Sequence, residues 1–324
     1  MRILIDKHIP LINGLLDGVA EVVYLEPSAF TPDSVKNADA LIIRTRTKCD
    51  KALLSGSTVK FIATATIGYD HIDTDYCNKA GIKWTNAPGC NADSVCNYID
   101  AAIRYVLPNF KGKTIGIIGV GNVGSRVYRQ SLSMGMRPLL NDPPLQQSGS
   151  VQYNFTPLES IVAEADIITF HVPLNAETHH IINADFLAKC KPDAIIINAS
   201  RGEILSTQDA LNATQKFVID CWENEPSPNL QLLNKALLAT PHIAGYSIDG
   251  KANGTVMAVN AVSDYFGLGV KVSVSDLGLP PKDYTKTYNI EADSKSLKRE
   301  PQKFEWFRNH YPVRRDLLFS VEHL

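Results

Sequence analysis

An arginine, a glutamate and a histidine sit at the ends of consecutive aliphatic runs in the second half of this 324-residue sequence. Arg201 follows IIINAS, Glu225 lies five residues beyond the Asp220 of VIDCW, and His242 follows LLATP. Oxidising an alcohol needs a base for the hydroxyl proton while a hydride departs, and an imidazole exchanges protons near neutral pH. His242 suits that task, Glu225 can orient it and stabilise its protonated form, and Arg201 can grip a carboxylate through a two-pronged contact that lysine lacks. Each also has an ordinary reading: Arg201 as a surface cation, Glu225 as an acid before the turn at Pro226, and His242 as a buried histidine satisfied by backbone.

Upstream, TIGIIGVGNVGSRV places Gly119, Gly121 and Gly124, with Asn122 and Val123 between them, after an apolar strand and at the opening of a helix. Such glycines allow a tight turn, close approach of a pyrophosphate and close packing of helix on sheet. Asp142 ends the next strand, 18 residues after Gly124. It can accept hydrogen bonds from an adenosine ribose, and its charge repels a 2′-phosphate, which favours NAD over NADP. Asp142 can also be a turn aspartate before Pro143 and Pro144, and the fingerprint by itself also fits FAD, although its mid-chain position behind a whole α/β region weighs against that. His171, followed by Val172 in TFHVP, has a shaping role near the cofactor, Asp220 faces the nicotinamide amide or ribose, and His71 supports the fold beside Asp70 and Asp73.

These residues need strand ends to carry them. Runs at 2–6, 40–45, 60–66 and 82–86, alternating with helix-compatible stretches such as 70–80, form one series. A second series runs through 114–119, 137–142, 165–172, 194–200, 217–222 and 237–242. This alternation predicts two α/β domains, each a parallel sheet covered on both faces. A helix over 91–107, ending at Pro108, connects them. After Gly269 the chain becomes sparse in aliphatics, so this region leans on another surface.

With 32 basic and 34 acidic residues, the net charge of −2 gives no global field to gather nucleic acid or anionic lipid. Six scattered cysteines without a C-x-x-C pair read as reduced thiols in a cytoplasmic protein, with no metal site. The first residues lack the pattern of a signal peptide, and no apolar run is long enough to span a membrane.

The segments ATATIGYDHID (63–73), GVGNVG (119–124), NASRG (198–202), DCWENEP (220–226) and PHIAG (241–245) resemble the D-isomer-specific 2-hydroxyacid dehydrogenase family. The resemblance implies Arg201, Glu225 and His242 as the catalytic set, NAD as cofactor with Gly245 at its site, and a flavodoxin-like substrate domain (1–91) interrupted by a Rossmann NAD domain (92–250). The active site is then expected in the cleft, with a helix (251–267) returning to the substrate domain. PGCNADSVCNYI (88–99), NDPP (141–144), PHIAGYSIDGKANGT (241–255) and the run from Leu297 through Arg315 narrow the match. They imply a small phosphorylated hydroxy-acid substrate, met by Thr45, Thr66 and Tyr246, and a C-terminal module (268–324) that makes a homodimer. Phe304, Trp306, Phe307, Tyr311, Leu317, Leu318 and Phe319 offer that module apolar surface. Arg44 or Arg46, or a C-terminal cation such as Arg314 or Arg315, can supply charge for the phosphate. The stretch from Arg201 to Asp220 is about five residues shorter than the family pattern implies, leaving little room for a complete crossover helix and turn, and the connection from Asn97 to Gly112 is also short. Another 2-hydroxy acid such as phosphoglycerate or glycerate, and a non-enzymatic NAD sensor, are the competing readings.

Overall fold

The computed structural model describes residues 1–283 and 288–316. The chain divides into two units, one of residues 1–91 with 247–282, the other of 92–246 with the described part of 283–324.

The first unit carries β1 (Arg2–Asp6), β2 (Glu21–Leu25), β3 (Ala40–Ile43), β4 (Phe61–Thr64) and β5 (Lys83–Thr85) in a parallel sheet of order β2-β1-β3-β4-β5. That is the flavodoxin-like order. Alternate side chains feed opposite faces. Leu4, Leu41 and Ile43 enter one apolar cluster, whereas Ile3, Ile5, Ala40 and Ile42 enter another, where Ala258, Val259 and Val262 of helix Ile248–Phe266 cover them. Ser247 caps that helix by accepting from the Gly250 amide at 2.9 Å, so the helix starts three residues earlier than the 251 expected from sequence. At Gly254 a Cβ would come within 2.5 Å of the Ala65 carbonyl oxygen, which is why the helix is bare there.

The second unit carries β6 (Thr114–Ile118), β7 (Arg137–Asn141), β8 (Ile167–Phe170), β9 (Ile195–Asn198), β10 (Lys216–Ile219) and β11 (Leu238–Ala239), in order β11-β10-β9-β8-β6-β7. Phe155 adds one parallel bridge to Leu140 of β7. This single bridge stands where the dinucleotide-binding fold has a full third strand. Ile196 faces one apolar cluster and Ile195 and Ile197 the other. Helix Ala92–Val106 lies within the second of these through Val95, Ile99 and Ile103.

The short crossover between β9 and β10 is a six-residue helix, Thr207–Asn212. Its open C-terminal end is met by Lys235, whose Nζ donates to the carbonyls of Ala210 (2.8 Å) and Leu211 (3.1 Å) and to that of Ala213 just beyond (2.5 Å).

The C-terminal region departs from the single module expected from 268. Asn260 exchanges two hydrogen bonds with the Val272 backbone, holding 268–282 to the first unit. From helix Ile290–Arg299 onward the chain packs on the second unit, burying Leu297 and Phe304 in its core, and Ser294 accepts from the Ala239 amide at the edge strand (3.0 Å). Tyr311 packs there partly buried, Trp306 stays 52% exposed, and Leu317, Leu318 and Phe319 lie outside the described residues. Among the described residues no helix is long and apolar enough to cross a membrane.

Candidate active site

A parallel sheet delivers loop residues at the C-terminal ends of its strands, and the predicted site residues occupy those positions. Gly119 follows β6, Asp142 β7, His171 β8, Arg201 β9, Asp220 β10 and His242 β11.

His242 adopts φ 55°, a left-handed conformation uncommon outside glycine. Its turn is pinned by Asp220, whose buried carboxylate accepts from the Thr240 hydroxyl (2.6 Å) and from the amides of Ile243 (2.8 Å) and Ala244 (2.9 Å). The Asp220 carbonyl accepts from the His242 amide at 2.8 Å, and the Tyr98 phenol bonds Thr240 at 2.7 Å. Asp220 was expected to face the cofactor; here its carboxylate turns inward and organises the histidine turn, because three donors of that turn converge on it.

Glu225 reaches His242 Nδ1 with both oxygens, at 3.1 and 2.9 Å. It is itself anchored by the Trp222 amide (2.9 Å), while Trp222 Nε1 donates to the Thr240 carbonyl (2.8 Å). With Nδ1 donating to the carboxylate, Nε2 is the nitrogen left to accept a proton. Burial alone pushes His242 down, but Cys221 and Glu225 beside it outweigh burial and hold the imidazole well above its usual range. Burial pushes the Cys221 thiol up, against the pull of the His242 ring beside it. Burial raises Glu225, yet the His242 contact, the Trp222 amide and the Arg308 charge hold its carboxyl below the usual value. Sequence reasoning did not place Cys221 here: its sulfur lies within 4.8 Å of a Glu225 carboxylate oxygen and a His242 ring nitrogen.

The Arg201 turn is tied to the same strand ends by Asn198, buried at the end of β9. Its amide donates to the carbonyls of Arg201 (2.9 Å) and Cys221 (3.3 Å), and its Oδ1 accepts from the Ser200 amide (3.2 Å) and hydroxyl (3.1 Å). Gly202 follows because a Cβ there would collide with the Trp222 carbonyl. Arg201 is half-buried, and one of its guanidinium nitrogens donates to the Ser200 carbonyl (2.8 Å).

The three glycines divide their tasks. Gly119 has φ 85°, and a Cβ on it would lie 2.5 Å from the His171 carbonyl oxygen; a Cβ on Gly124 would collide with the Gly119 carbonyl. A Cβ on Gly121 would meet nothing within 4 Å. The first and third therefore serve the fold, and the second leaves room beside helix Gly124–Ser133, whose N-terminal amides favour an anion. These features fit a dinucleotide pyrophosphate. Asn122 is exposed, and Val123 packs into the core beneath the turn. Asp142 accepts from the Val120 amide (2.8 Å) and caps the following helix through the Leu145 amide (2.9 Å). A carboxylate has about four acceptor positions, so the cap leaves capacity for ribose hydroxyls. Burial pushes His171 down to about 3, which keeps it neutral beside Val172 under the glycine turn, with Nε2 on the Thr169 hydroxyl at 3.1 Å.

In the first unit, Thr45 is exposed just beyond β3. Thr66, beyond β4, donates to the Gly68 carbonyl (3.0 Å) and shares a hydrogen bond with Thr64 (2.7 Å), to which His71 is also bonded (3.1 Å). Arg44 pairs with the buried Asp6 at 3.1 Å, so that arginine is engaged at its own sheet. In the second unit, Gly245 and Tyr246 close the histidine turn, with Arg308 over the Tyr246 ring at 5.8 Å. Arg314 does not extend outward; it is buried and donates to the Ala244 carbonyl at 2.6 Å.

Residues 97–244 match the family described as D-isomer specific 2-hydroxyacid dehydrogenase, NAD binding domain. The chain is 46% identical over 341 residues to an erythronate-4-phosphate dehydrogenase of Bacteroides thetaiotaomicron, covering 98% of this chain and 97% of that protein. It is 44% identical to one of Bacteroides fragilis with the same shares covered. Among solved structures, it is similar to a D-lactate dehydrogenase from Aquifex aeolicus complexed with NAD and lactic acid, at 26% identity and a TM-score of 0.66, covering 82% of this chain and 95% of that one.

Proposed function

The chain belongs to the D-isomer-specific 2-hydroxyacid dehydrogenase family, and from that premise we propose that it oxidises 4-phospho-D-erythronate with NAD to 2-oxo-3-hydroxy-4-phosphobutanoate, a step of vitamin B6 (pyridoxal phosphate) biosynthesis. The observation that carries the chemistry is the His242–Glu225 pair, set in a strained, fully tied turn in the same unit as the glycine fingerprint. The relatives' shared name carries the substrate.

Gly119, Gly121, Asn122, Val123 and Gly124 would hold NAD, with Asp142 toward its ribose and His171, Val172 and Gly245 shaping the site, and the bound cofactor would supply the hydride acceptor. Asp220 contributes through the turn it holds. His242 Nε2 takes the C2 hydroxyl proton, and Glu225 stabilises the imidazolium that results. Arg201 binds the C1 carboxylate through its forked guanidinium. Thr45, Thr66 and Tyr246 give hydroxyl donors to the substrate, including its phosphate end, without adding formal charge.

The test is an initial-rate comparison of 4-phosphoerythronate, unphosphorylated erythronate and 3-phosphoglycerate with NAD, with the oxo acid removed as it forms. A higher kcat/KM for the four-carbon phosphate supports the substrate; preference for either comparator moves it to another 2-hydroxy acid. Tight NADH binding with no turnover of any of the three would make the protein a sensor.

The same reading makes the chain a cytoplasmic homodimer joined through its C-terminal region. Trp306 and Val313, 52% and 72% exposed, offer apolar surface there. Truncation near Gly269 would also strip Leu297 and Phe304 from the core, so the cleaner test is Trp306→Glu in the full chain. Its mass in solution is expected to fall to that of a monomer, and an unchanged dimer would locate the interface elsewhere.

A further inference from the structure

We propose that Arg314 is a positioning residue for the catalytic histidine: the C-terminal segment delivers its guanidinium to the Ala244 carbonyl, and so fixes the turn that carries His242 and Gly245.

Arg314 is 9% exposed. Nη2 donates to the Ala244 carbonyl at 2.6 Å and Nη1 lies 3.5 Å from the Tyr311 hydroxyl, while the guanidinium stacks 4.5 Å from the Tyr288 ring centre and 5.7 Å from that of Tyr311. Both phenols donate to one oxygen of Asp293, at 2.8 Å each, which fixes the rings the cation lies against. The carboxylates of Asp316 and Asp293 act on this guanidinium through their charge, and its Nε is buried without a hydrogen-bond partner. Burying a cation, even with carboxylates nearby, is a costly way to fill space, since an apolar side chain of like volume packs without the desolvation penalty. What the charge supplies is a strong, directed hold on one carbonyl.

That carbonyl matters because of its place. The amide of Ala244 is held by Asp220 and its carbonyl by Arg314, so both peptide groups of the residue are pinned. His242, two residues earlier, keeps φ 55°, and a non-glycine residue holds such a conformation only when its surroundings over-determine it. Asp220 grips the amide side of the turn; on the carbonyl side Trp222 Nε1 holds Thr240, the Tyr246 amide holds Ile243, and Arg314 adds the hold on Ala244.

The proposal rests on His242 as proton acceptor, and its test is chosen to read the turn with and without turnover. In the full-length protein, Arg314→Met and Arg314→Lys are compared with the parent by NADH binding, by kcat and KM, and by NMR titration of the His242 ring. The groups facing that ring are Cys221 and Glu225, with Arg308 acting on Glu225. In Arg314→Met, kcat is expected to fall by about 10²-fold, the loss a misplacement of about 1 Å brings, with NADH affinity kept. The ring's titration midpoint should drop toward that of an ordinary histidine as the Glu225 contact loosens, and Arg314→Lys should recover part of both. A folded Arg314→Met with parental kcat and titration overturns the proposal. Should that variant not fold, Tyr288→Leu removes the aromatic face while leaving the charge; smaller shifts of the same two readouts support the proposal, and unchanged ones overturn it. A parent with no turnover would retract the functional reading, while the ring titration still decides whether Arg314 holds the turn.

Discussion

Proton acceptance at His242 needs the neutral ring, whereas Glu225 favours the charged one, and their 2.9 Å contact sets the balance. Because the imidazole is held above its usual range, kcat/KM for alcohol oxidation should rise with pH through that elevated midpoint. Glu225→Gln removes the charge: the inflection should move to lower pH and the plateau fall by about 10²-fold, within the span of general-base effects. An inflection that stays in place would deny Glu225 its role. The pair also has a stability signature. A raised histidine contributes fully below its unfolded value, and the contribution is lost as pH rises through the folded one; a lowered carboxyl contributes above its unfolded value, lost as pH falls through the folded one. The pair therefore stabilises most between the ordinary carboxyl value and the ordinary histidine value, and the contribution is lost outward as pH falls through the depressed Glu225 value or rises through the elevated His242 value. Arg201, Glu225 and His242 are legible in sequence because each follows an aliphatic run. Asn198, Cys221 and the inward turn of Asp220 are not, since their contacts join loops that only the strand order brings side by side.

At the scale of elements, the glycine turn separates fold from ligand. Gly124→Ala should lower Tm, because its Cβ meets the Gly119 carbonyl and overpacking costs about 1–3 kcal/mol. Gly121→Ala should leave Tm near the parent's and weaken NAD binding, measured by fluorescence titration. The reverse pattern would mean that the cofactor lies elsewhere. The strand-helix alternation was readable because runs such as ILI and IIIN are apolar on both faces, as a sheet covered on both sides demands. β2 escaped notice: EVVYL is an edge strand, only partly buried beyond its exposed Glu21. The third strand of the second sheet, reduced to the Phe155 bridge, and the Lys235 contacts closing the short crossover leave no periodic signal.

Over the whole chain, the texture change after Gly269 correctly marks a region that cannot build its own core. Composition could not say which surface would receive it; that depended on Ser294 meeting the edge of β11 and on Leu297 and Phe304 filling the second unit. The proposed chemistry is hydride transfer from C2 of a phosphorylated 2-hydroxy acid to NAD, with His242 taking the proton. It is tested most directly with 4-phospho-D-erythronate deuterated at C2, by mass spectrometry of the reduced cofactor from the parent and from His242→Ala. NADH formed by the parent should carry the substrate's deuterium, and in the variant its formation should be slowed by about 10²–10⁴-fold with NAD binding retained. Unlabelled NADH, or a variant as fast as the parent, would contradict it.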